Sequence, residues 1–529
     1  MKTMCFLLTA FLNIVLFSCS GSIDSDTGKL DAPSGLVVTQ EGNESAVLSW
    51  TNGKGNIEGL YVFCKGDSDS YYAEPSASLP AGTTSYRFTG LKDGYYSFGV
   101  QARASKEKNN SDIAWTERTR ILDWSKLPQA SVIDINASYA YLSVQYSFSQ
   151  LSGTPKDYGV CLSPEHTPTV LDTKIQGPRL QNMSAIHIIP NAILEYGTTY
   201  HLRAYVKSGD EYWYSEDKTV SMATEPGIPS LVWNKLAPAG IPSSIEIYET
   251  TTALNGRAFH AWYAIADCTK DVTFKVLNPS TKATLEKQTE TAGNCYVMIN
   301  GGIFGTKHIG VIYADGTLQP WRNEVDGSYW GYDEKLYNLT RAIIGTDATG
   351  KPAAYWTSAP DASNVFFYDR PMTTVMGGSL WGPATNSAPG PIIAWNPKNA
   401  ISTGPMLLYN GKCCVDLTTN PAGYYITNYE CWAKDIYPTK PDRTAVGFTA
   451  DGRIVLFICD GRIKDSDGAY IDELALIMKG IGCVAAMNLD GGGSTAMIVN
   501  GKRLNSLLTG TGTATENRPV LSTLGFFAK

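Results

Sequence analysis

The sequence is short of histidine, with 5 in 529 residues, and it has no G-x-S-x-G nucleophile elbow, so a Ser-His-Asp hydrolase has little to be built from. No C-x-x-C pair and no Cys/His cluster at zinc spacing occurs among its 11 cysteines, which argues against a structural zinc site. Positive charge is in deficit. Lys and Arg number 43 against 50 Asp and Glu, a net charge of −7, and no basic footprint of the kind that grips nucleic acid is present. After the N-terminus no stretch reaches the ~18 apolar residues of a membrane span.

What is present is length, glycine and aromatic residues. A chain of this size exceeds the ~250–300 residues that one core serves, so several domains are expected. With 43% hydrophobic and 18% charged residues, 50 Gly and 30 Tyr, the composition is that of a folded, strand-rich protein. The start, with Lys2, an apolar run from Met4 to Phe17 and small residues at Cys19, reads as a secretory signal over 1–18. Leu16-Phe17-Ser18-Cys19 resembles the bacterial lipobox. That resemblance implies lipidation of Cys19, a tether over 19–29, and a lipid-anchored place in the cell envelope, in the outer membrane or facing the periplasm.

Between residues 30 and 123, short alternating runs separated by turns predict an all-β sandwich. Trp50 is its inward anchor, and Tyr96, Phe98, Val100 and Ala102 share one face. The pattern resembles the fibronectin type III fold. Residues 130–224 repeat the design loosely, with strands near Tyr139–Val144 and Tyr196–Tyr205. Neither segment gathers carboxylates, histidines or glycine loops, so both read as spacers or binding arms. Glu225-Pro226-Gly227-Ile228-Pro229 reads as a linker.

Residues 230–529 predict an α+β mixed-sheet domain, so the whole is multidomain, two immunoglobulin/fibronectin III-like sandwiches followed by a catalytic domain. Strands are expected at Arg257–Ala266, Val272–Leu277, Cys295–Ile299 and Cys483–Leu489. Asp451-Gly452 and Asn500-Gly501 mark hairpins. Ile471, Leu474, Ala475 and Met478 fall at i, i+3, i+4, i+7, which predicts a helix over Tyr470–Lys479. The vicinal pair Cys413-Cys414 reads as two buried small hydrophobes or as separate disulfide partners.

The densest feature is Asn488-Leu489-Asp490-Gly491-Gly492-Gly493-Ser494-Thr495 at the end of an apolar strand. It fits either an anion cradle of backbone N–H groups or a tight bend between packed strands. Asp460-Gly461-Arg462 also closes a strand, as does Asn300-Gly301-Gly302, and strand-end loops collect on one side of a sheet. Paired carboxylates there supply an acid and a base or nucleophile, while Arg443 and Arg462 offer forked donors for phosphate. Glu473 lies opposite the helix's apolar stripe, where the pattern assigns it to solvent or to dipole stabilisation. His308 fits a structural role better than an acid-base one. The acidic run from Asp460 through Asp465 and Asp467 to Asp472 is a candidate for Ca²⁺, although its spacing fits no EF-hand loop; no other cofactor or metal is called for.

Taken in order, Asn300-Gly301-Gly302-Ile303-Phe304, Gly404-Pro405, Arg443-Thr444, Asp460-Gly461-Arg462, Glu473-Leu474-Ala475, the Asn488–Thr495 run and the closing Arg518-Pro519-Val520 resemble the phosphodiester glycosidase domain family. Ile303 departs from the aromatic usual there, and residues 321–399 read as an insert able to reshape substrate choice. The resemblance implies hydrolysis of a sugar-1-phosphodiester, such as N-acetylglucosamine alpha-1-phosphate linked to another sugar. It places Asp490, Asp460 and Glu473 in catalysis, and Asn300, Gly301, Gly302, Arg443, Arg462, Asn488, Gly491, Gly492, Gly493, Ser494 and Thr495 around a phosphorylated glycan. The competing readings are a non-catalytic surface lipoprotein that binds phosphorylated glycans and an enzyme cleaving within a phosphate-bearing polysaccharide.

Overall fold

The computed structural model describes residues 28–529 apart from 68–73, 179, 181, 192–193, 321–323, 327–335, 339, 362, 373–374, 377–378, 381–391, 420–424, 426, 428, 431, 433–435 and 508–516. Cys19, the secretory segment and most of the tether lie outside the described residues. The chain divides into two compact units after Leu127.

The N-terminal unit is a sandwich. One sheet pairs strands Ser34–Gln40, Ser45–Thr51 and Ser85–Thr89; the other joins Ala77–Pro80, Gly59–Gly66, Gly94–Arg103, Ala114–Trp115 and Thr119–Ile121. Alternation decides which side chains go inward. Trp50, Leu60, Val62, Phe98, Val100 and Ala102 form its core, as the period-2 pattern predicts.

The second unit, Pro128–Lys529, begins with another pair of sheets around a shared core of Val144, Tyr146, Val160, Leu202 and their neighbours. This sandwich is not an arm held off the rest. Ala140, Tyr141, Ile186 and Ile188 belong to the same core cluster as Trp262, Met406 and Leu456 of the C-terminal part. Glu225, expected in a linker, is pinned between Lys479, the Tyr196 hydroxyl and the backbone N–H of Cys413.

In the C-terminal part the expected mixed sheet proves antiparallel: every strand pair among the described residues is antiparallel, and the architecture is mostly β. An eight-stranded sheet runs in the order Asn234–Leu236, Ile245–Thr250, Ala261–Ala266, Ile454–Cys459, Arg443–Thr449, Cys483–Asn488, Met406–Tyr409, Lys412–Cys413. A five-stranded sheet contains Val272–Leu277, Thr523–Ala528, Cys295–Asn300, Met497–Val499 and Lys502–Arg503. The eight-stranded sheet is covered on both faces. Trp262, Ala264, Leu456 and Ile458 enter one core, and Tyr263, Ile265, Val455 and Phe457 another. Continuous apolar runs suggest buried parallel strands; here the same run arises because an antiparallel sheet has no wet face.

Helix Ile471–Gly480 roofs the second of these cores with Ile471, Leu474, Ala475 and Met478. The only other α-helix among the described residues is Leu285–Ala292, capped by Thr284. Both expected hairpins form, with Gly452, Asn500 and Gly501 at positive φ. Much of the presumed insert is structural, since Arg341–Asp347, Pro352–Asp361 and Asn364–Tyr368 build a six-stranded sheet whose Ala342, Ile344 and Trp356 enter the main core. Cys413 and Cys414 are buried free thiols, and no disulfide occurs among the described residues.

Candidate functional site

Strand Cys483–Asn488 delivers the glycine loop, and neighbouring strand ends fix its course. Leu489 N–H donates to the Thr444 carbonyl at 2.9 Å, Asp490 N–H to Gly301 at 3.1 Å and Gly492 N–H to Asp442 at 2.9 Å. Asn300 is a strap. Its Nδ2 donates to the Asp490 carbonyl at 2.7 Å, and its Oδ1 accepts from the Thr444 hydroxyl at 2.8 Å and from Ala496 N–H at 3.2 Å.

Each glycine of the triplet has its own reason. A Cβ at Gly491 would stand 2.7 Å from the Asp442 carbonyl oxygen, at Gly492 3.0 Å from Arg462 Nη2, and at Gly493 2.8 Å from Arg518 Nη2. Gly492 is also at φ +62°. The loop is thus bare because two exposed guanidinium groups lie against it. It is not a nest of free amides. The N–H groups of Gly491, Gly492, Ser494 and Thr495 are all bonded within the protein, so the loop's positive charge comes from Arg462 and Arg518 rather than from the backbone.

Two carboxyl groups beside this loop are held far from their ordinary state. Asp490 is ringed by protein at the loop's start, and desolvation pushes its pKa up to about 6 against the pull of the Ser494 hydroxyl, the Arg518 charge and the Gly491 N–H. Asp460 ends strand Ile454–Cys459 and is 1% exposed. Burial pushes it to about 6 as well, with the Asp442 charge adding to the rise and the Ser506 N–H, 3.3 Å from Oδ1, opposing it.

Asp442 joins the two segments. Its Oδ1 accepts from Gly461 N–H at 3.2 Å and its Oδ2 from Arg462 Nη2 at 2.9 Å, while its carbonyl takes the Gly492 N–H. Burial raises its pKa and the Arg462 charge works against that rise. Arg462 sits at φ +58°, a conformation a non-glycine residue holds only where its surroundings over-determine it. The loop opens onto a concavity lined by Leu285, Ser494, Arg503, Leu507, Arg518 and Val520, with the Ser494 hydroxyl 3.4 Å from Arg518 Nη1.

Other expected site residues have structural duties. Arg443 is buried and donates to the carbonyls of Ala469, Ile436 and Thr439 at 3.0, 2.7 and 2.9 Å, so its fork is turned into the fold instead of toward a phosphate. Glu473, assigned by pattern to solvent, is 8% exposed. It closes a capping box on Tyr470 N–H at 2.9 Å and is paired with Arg257 and Asn255. Its polar surroundings arrive from Asn255-Gly256-Arg257, which no local pattern discloses.

Asn488 is buried and donates to the Gly404 carbonyl at 3.0 Å. Gly301 and Gly302 leave room for Ser522 and His308. His308 is fully buried between the Ser402 carbonyl and the Ser522 hydroxyl, and desolvation pushes it down to about 4, so it stays neutral and structural. Thr495 is buried beside Thr444. The Asp460–Asp472 run does not converge as a cation site: Asp467 faces Lys440 and Asp472 accepts Glu473 N–H. Among the described residues no group of three or more His, Cys, Asp or Glu side chains is placed to hold a metal.

Asp442 and Arg518 were missed from sequence. Asp442 directly precedes the Arg443-Thr444 motif, and Arg518 opens the closing Arg-Pro-Val; both signals were visible without a role attached.

Carboxyl groups of raised pKa and two guanidinium groups gather around a strand-end glycine loop in a β-rich domain, beside a concavity lined by Ser494, Arg503 and Arg518. Residues 293–527 match the phosphodiester glycosidase family and residues 31–114 the fibronectin type III domain. The chain therefore carries a phosphodiester glycosidase domain preceded by a fibronectin type III domain. Mouse N-acetylglucosamine-1-phosphodiester alpha-N-acetylglucosaminidase is 41% identical over 59 residues, 11% of this chain and 11% of that protein. The SPbeta prophage-derived uncharacterized protein YomE of Bacillus subtilis (strain 168) is 37% identical over 71 residues, 13% of this chain and 11% of that protein. The matched stretch thus spans about a tenth of the length of these curated relatives.

Among solved structures, the zebrafish N-acetylglucosamine-1-phosphodiester alpha-N-acetylglucosaminidase catalytic domain, auto-inhibited by its pro-peptide, is 20% identical with a TM-score of 0.36, covering 57% of this chain and 89% of its own. A hypothetical protein from Synechocystis is 13% identical with a TM-score of 0.35, covering 93% and 99%.

Proposed function

We propose that the chain hydrolyses sugar-1-phosphodiesters, such as N-acetylglucosamine alpha-1-phosphate linked to a second sugar, in envelope or environmental glycans. The observation that carries the reading is a glycine loop flanked by two arginines, with one carboxyl group of pKa about 6 at its start and another on the strand end that Asp442 joins to it. A phosphodiester carries one negative charge, which Arg518 matches, the Arg462 charge being set against Asp442. One carboxylic acid and one carboxylate near neutral pH are the minimum equipment for glycoside chemistry.

The surroundings separate their roles. Asp460, beside the Asp442 charge, holds its proton and acts as general acid to the departing phosphate oxygen. Asp490, facing Arg518, the Ser494 hydroxyl and the Gly491 N–H, is the group supported as a carboxylate and acts as nucleophile or base. Arg518 holds the charge of the phosphate. Water enters, free sugar leaves, and a phosphomonoester remains on the second sugar.

Cys19 and the apolar run before it support a lipid anchor in the cell envelope as part of this proposal. No helix among the described residues is long and apolar enough to cross a membrane. The test is incubation of residues 28–529 and its Asp490→Asn variant with methyl phosphodiesters of several sugar-1-phosphates, following free sugar and new phosphomonoester. Turnover abolished by the substitution supports the reading. Saturable binding without product transfers it to a glycan-binding surface protein.

A further inference from the structure

The N-terminal unit gathers aromatic and cationic side chains on the face of one sheet turned away from its core. Strand Gly59–Gly66 sends Leu60 and Val62 into the core and Tyr61, Phe63 and Lys65 to the opposite face. On neighbouring strands Tyr95, Arg103, Trp115 and Arg120 join that face, by the register Tyr95↔Arg120, Gly99↔Trp115 and Gly59↔Arg103. Rings and cations interleave there. Tyr95 is approached by two guanidinium groups, with Arg118 Cζ at 4.1 Å and Arg120 Cζ at 4.9 Å from its centroid. Lys65 Nζ stands 5.1 Å over Trp115, and Arg103 Cζ 4.5 Å over Tyr61.

Two details show a platform and not only a stiffening ladder. Tyr95 is 38% and Trp115 37% exposed, so each ring keeps an open edge or face that a purely internal stack would bury. Gly99 lies beneath the indole: a Cβ there would come within 2.9 Å of Trp115 Cε3. The strand is kept bare so that a large ring lies flat on a solvent-facing sheet. Arg118 and Arg120 are paired with Asp67 and Asp93, but these ion pairs are exposed, contribute little, and are open to exchange for an incoming anion.

We infer that this face binds an anionic polysaccharide, its sugar rings seated on Tyr95 and Trp115 and its phosphate or carboxylate groups held by the stacked Arg118, Arg120 and Arg103. Flat aromatic faces suit the C–H faces of pyranose rings. Guanidinium groups pre-positioned by cation–π contact suit oxyanions at low entropic cost. A neutral glycan would leave those charges unused, and a protein partner would call for a larger apolar core than two part-exposed rings provide.

The test uses residues 28–529 with Asp490→Asn, so that nothing is consumed. Its probes are a phosphorylated mannan, the same mannan after phosphate removal, and polygalacturonate. Binding to one or both anionic polymers, at least about ten-fold weaker for the neutral mannan, is expected. Trp115→Ala and Tyr95→Ala should each lower affinity by about ten-fold, the scale of losing one aromatic platform. Arg118→Gln with Arg120→Gln, which leaves the core intact, should lower affinity and flatten its salt dependence.

Phosphomannan binding alone assigns phosphate as the anion, and binding of both polymers assigns charge in general. Equal binding to neutral mannan, or the double arginine variant binding like its parent, overturns the proposal. Binding lost instead in Arg518→Gln places recognition at the glycine loop and overturns it too, while leaving the reading of that loop intact. With Asp490 restored, turnover of a small methyl phosphodiester should be unchanged by the arginine pair, which separates this surface from the catalytic cleft.

Discussion

Asp490→Asn should stabilise the protein above pH 6 while abolishing its activity. Desolvation lifts the Asp490 pKa from 3.8 to about 6, so the folded state holds that proton more tightly than the unfolded chain does. The sign follows from proton linkage: stability contributed by the group is full below pH ~4, is lost as pH rises toward ~6, and stays lost above. At ~1.4 kcal/mol per pH unit, keeping Asp490 ionised at pH 8 costs the folded state about 3 kcal/mol.

Asparagine keeps the shape, keeps an oxygen to accept the Gly491 N–H at 3.0 Å and has no charge to desolvate. For the unit spanning Pro128–Lys529, an unfolding entropy of ~2.1 cal/mol/K per residue converts 3 kcal/mol into a rise of about 3–4 °C in Tm. Differential scanning calorimetry of parent and variant at half-unit steps from pH 4 to pH 8 measures it. The two melting curves should coincide near pH 4 and separate through pH 5–6. A difference that does not vary with pH, or a variant less stable at pH 8 than at pH 4 relative to its parent, refutes the claim that a buried charge is stored at this site.

Hydrolysis itself should show a bell-shaped dependence of kcat/KM centred near pH 6, set by the titrations of Asp460 and Asp490; a flat profile from pH 5 to pH 8 removes both carboxyls from catalysis. Arg518→Ala should raise KM for a methyl phosphodiester by roughly ten- to a hundred-fold, the ~1.5–3 kcal/mol of a charge-assisted contact, and unchanged kinetics would leave the concavity unused. Glu473→Gln should lower stability by ~1–3 kcal/mol through the loss of the charged Arg257 partnership, the cap on Tyr470 being kept by the amide oxygen, with kcat within about two-fold of the parent; a folded variant lacking activity returns Glu473 to the reaction. A fragment beginning at Ser230 should express poorly beside one beginning at Pro128, because removing Tyr141, Ile186 and Ile188 from the main core forfeits about 1.5–3 kcal/mol for each side chain; comparable melting of the two fragments would make the second sandwich dispensable.

What the sequence disclosed was what local chemistry determines. Positive φ at Asn500-Gly501 and the glycine of Asp451-Gly452 produce hairpins wherever they occur, and the spacing of Ile471, Leu474, Ala475 and Met478 produces a roofing helix. Glu473 was misread because amphipathic pattern reports only the helix's own stripe. The side opposite Leu474 is covered by Asn255 and Arg257, more than two hundred residues earlier, so a charge that pattern gives to water is buried in a pair. Arg443 failed for a related reason: its strand position was legible, but the carbonyls that claim its guanidinium lie in turns with no signature. Strand direction was hidden as well. A run such as Ala261–Ala266 is apolar at every position because both faces of its sheet are covered, and that follows from the number of layers, which no single strand encodes.

The three glycines show why the site was nonetheless findable. Substitution at Gly491 would push against the Asp442 carbonyl, at Gly492 against Arg462 and at Gly493 against Arg518, so the triplet records in one place the approach of three distant segments. The same closeness sets the chemistry. Asp442 reaches Gly461 and Arg462 with its carboxylate and Gly492 with its carbonyl, which draws the Asp460 and Asp490 strand ends into one packed corner. That packing raises both acids toward neutrality, and it also fixes the two arginines against the glycine loop. In the proposed reaction, proton supply and charge recognition therefore have a common origin. An alanine at Gly493 should weaken anion binding by displacing Arg518 and should also raise the Asp490 pKa, because the Arg518 charge that pulls it down is moved away; both changes in one variant, read by KM and by the acid limb of the pH profile, are what a single shared corner requires.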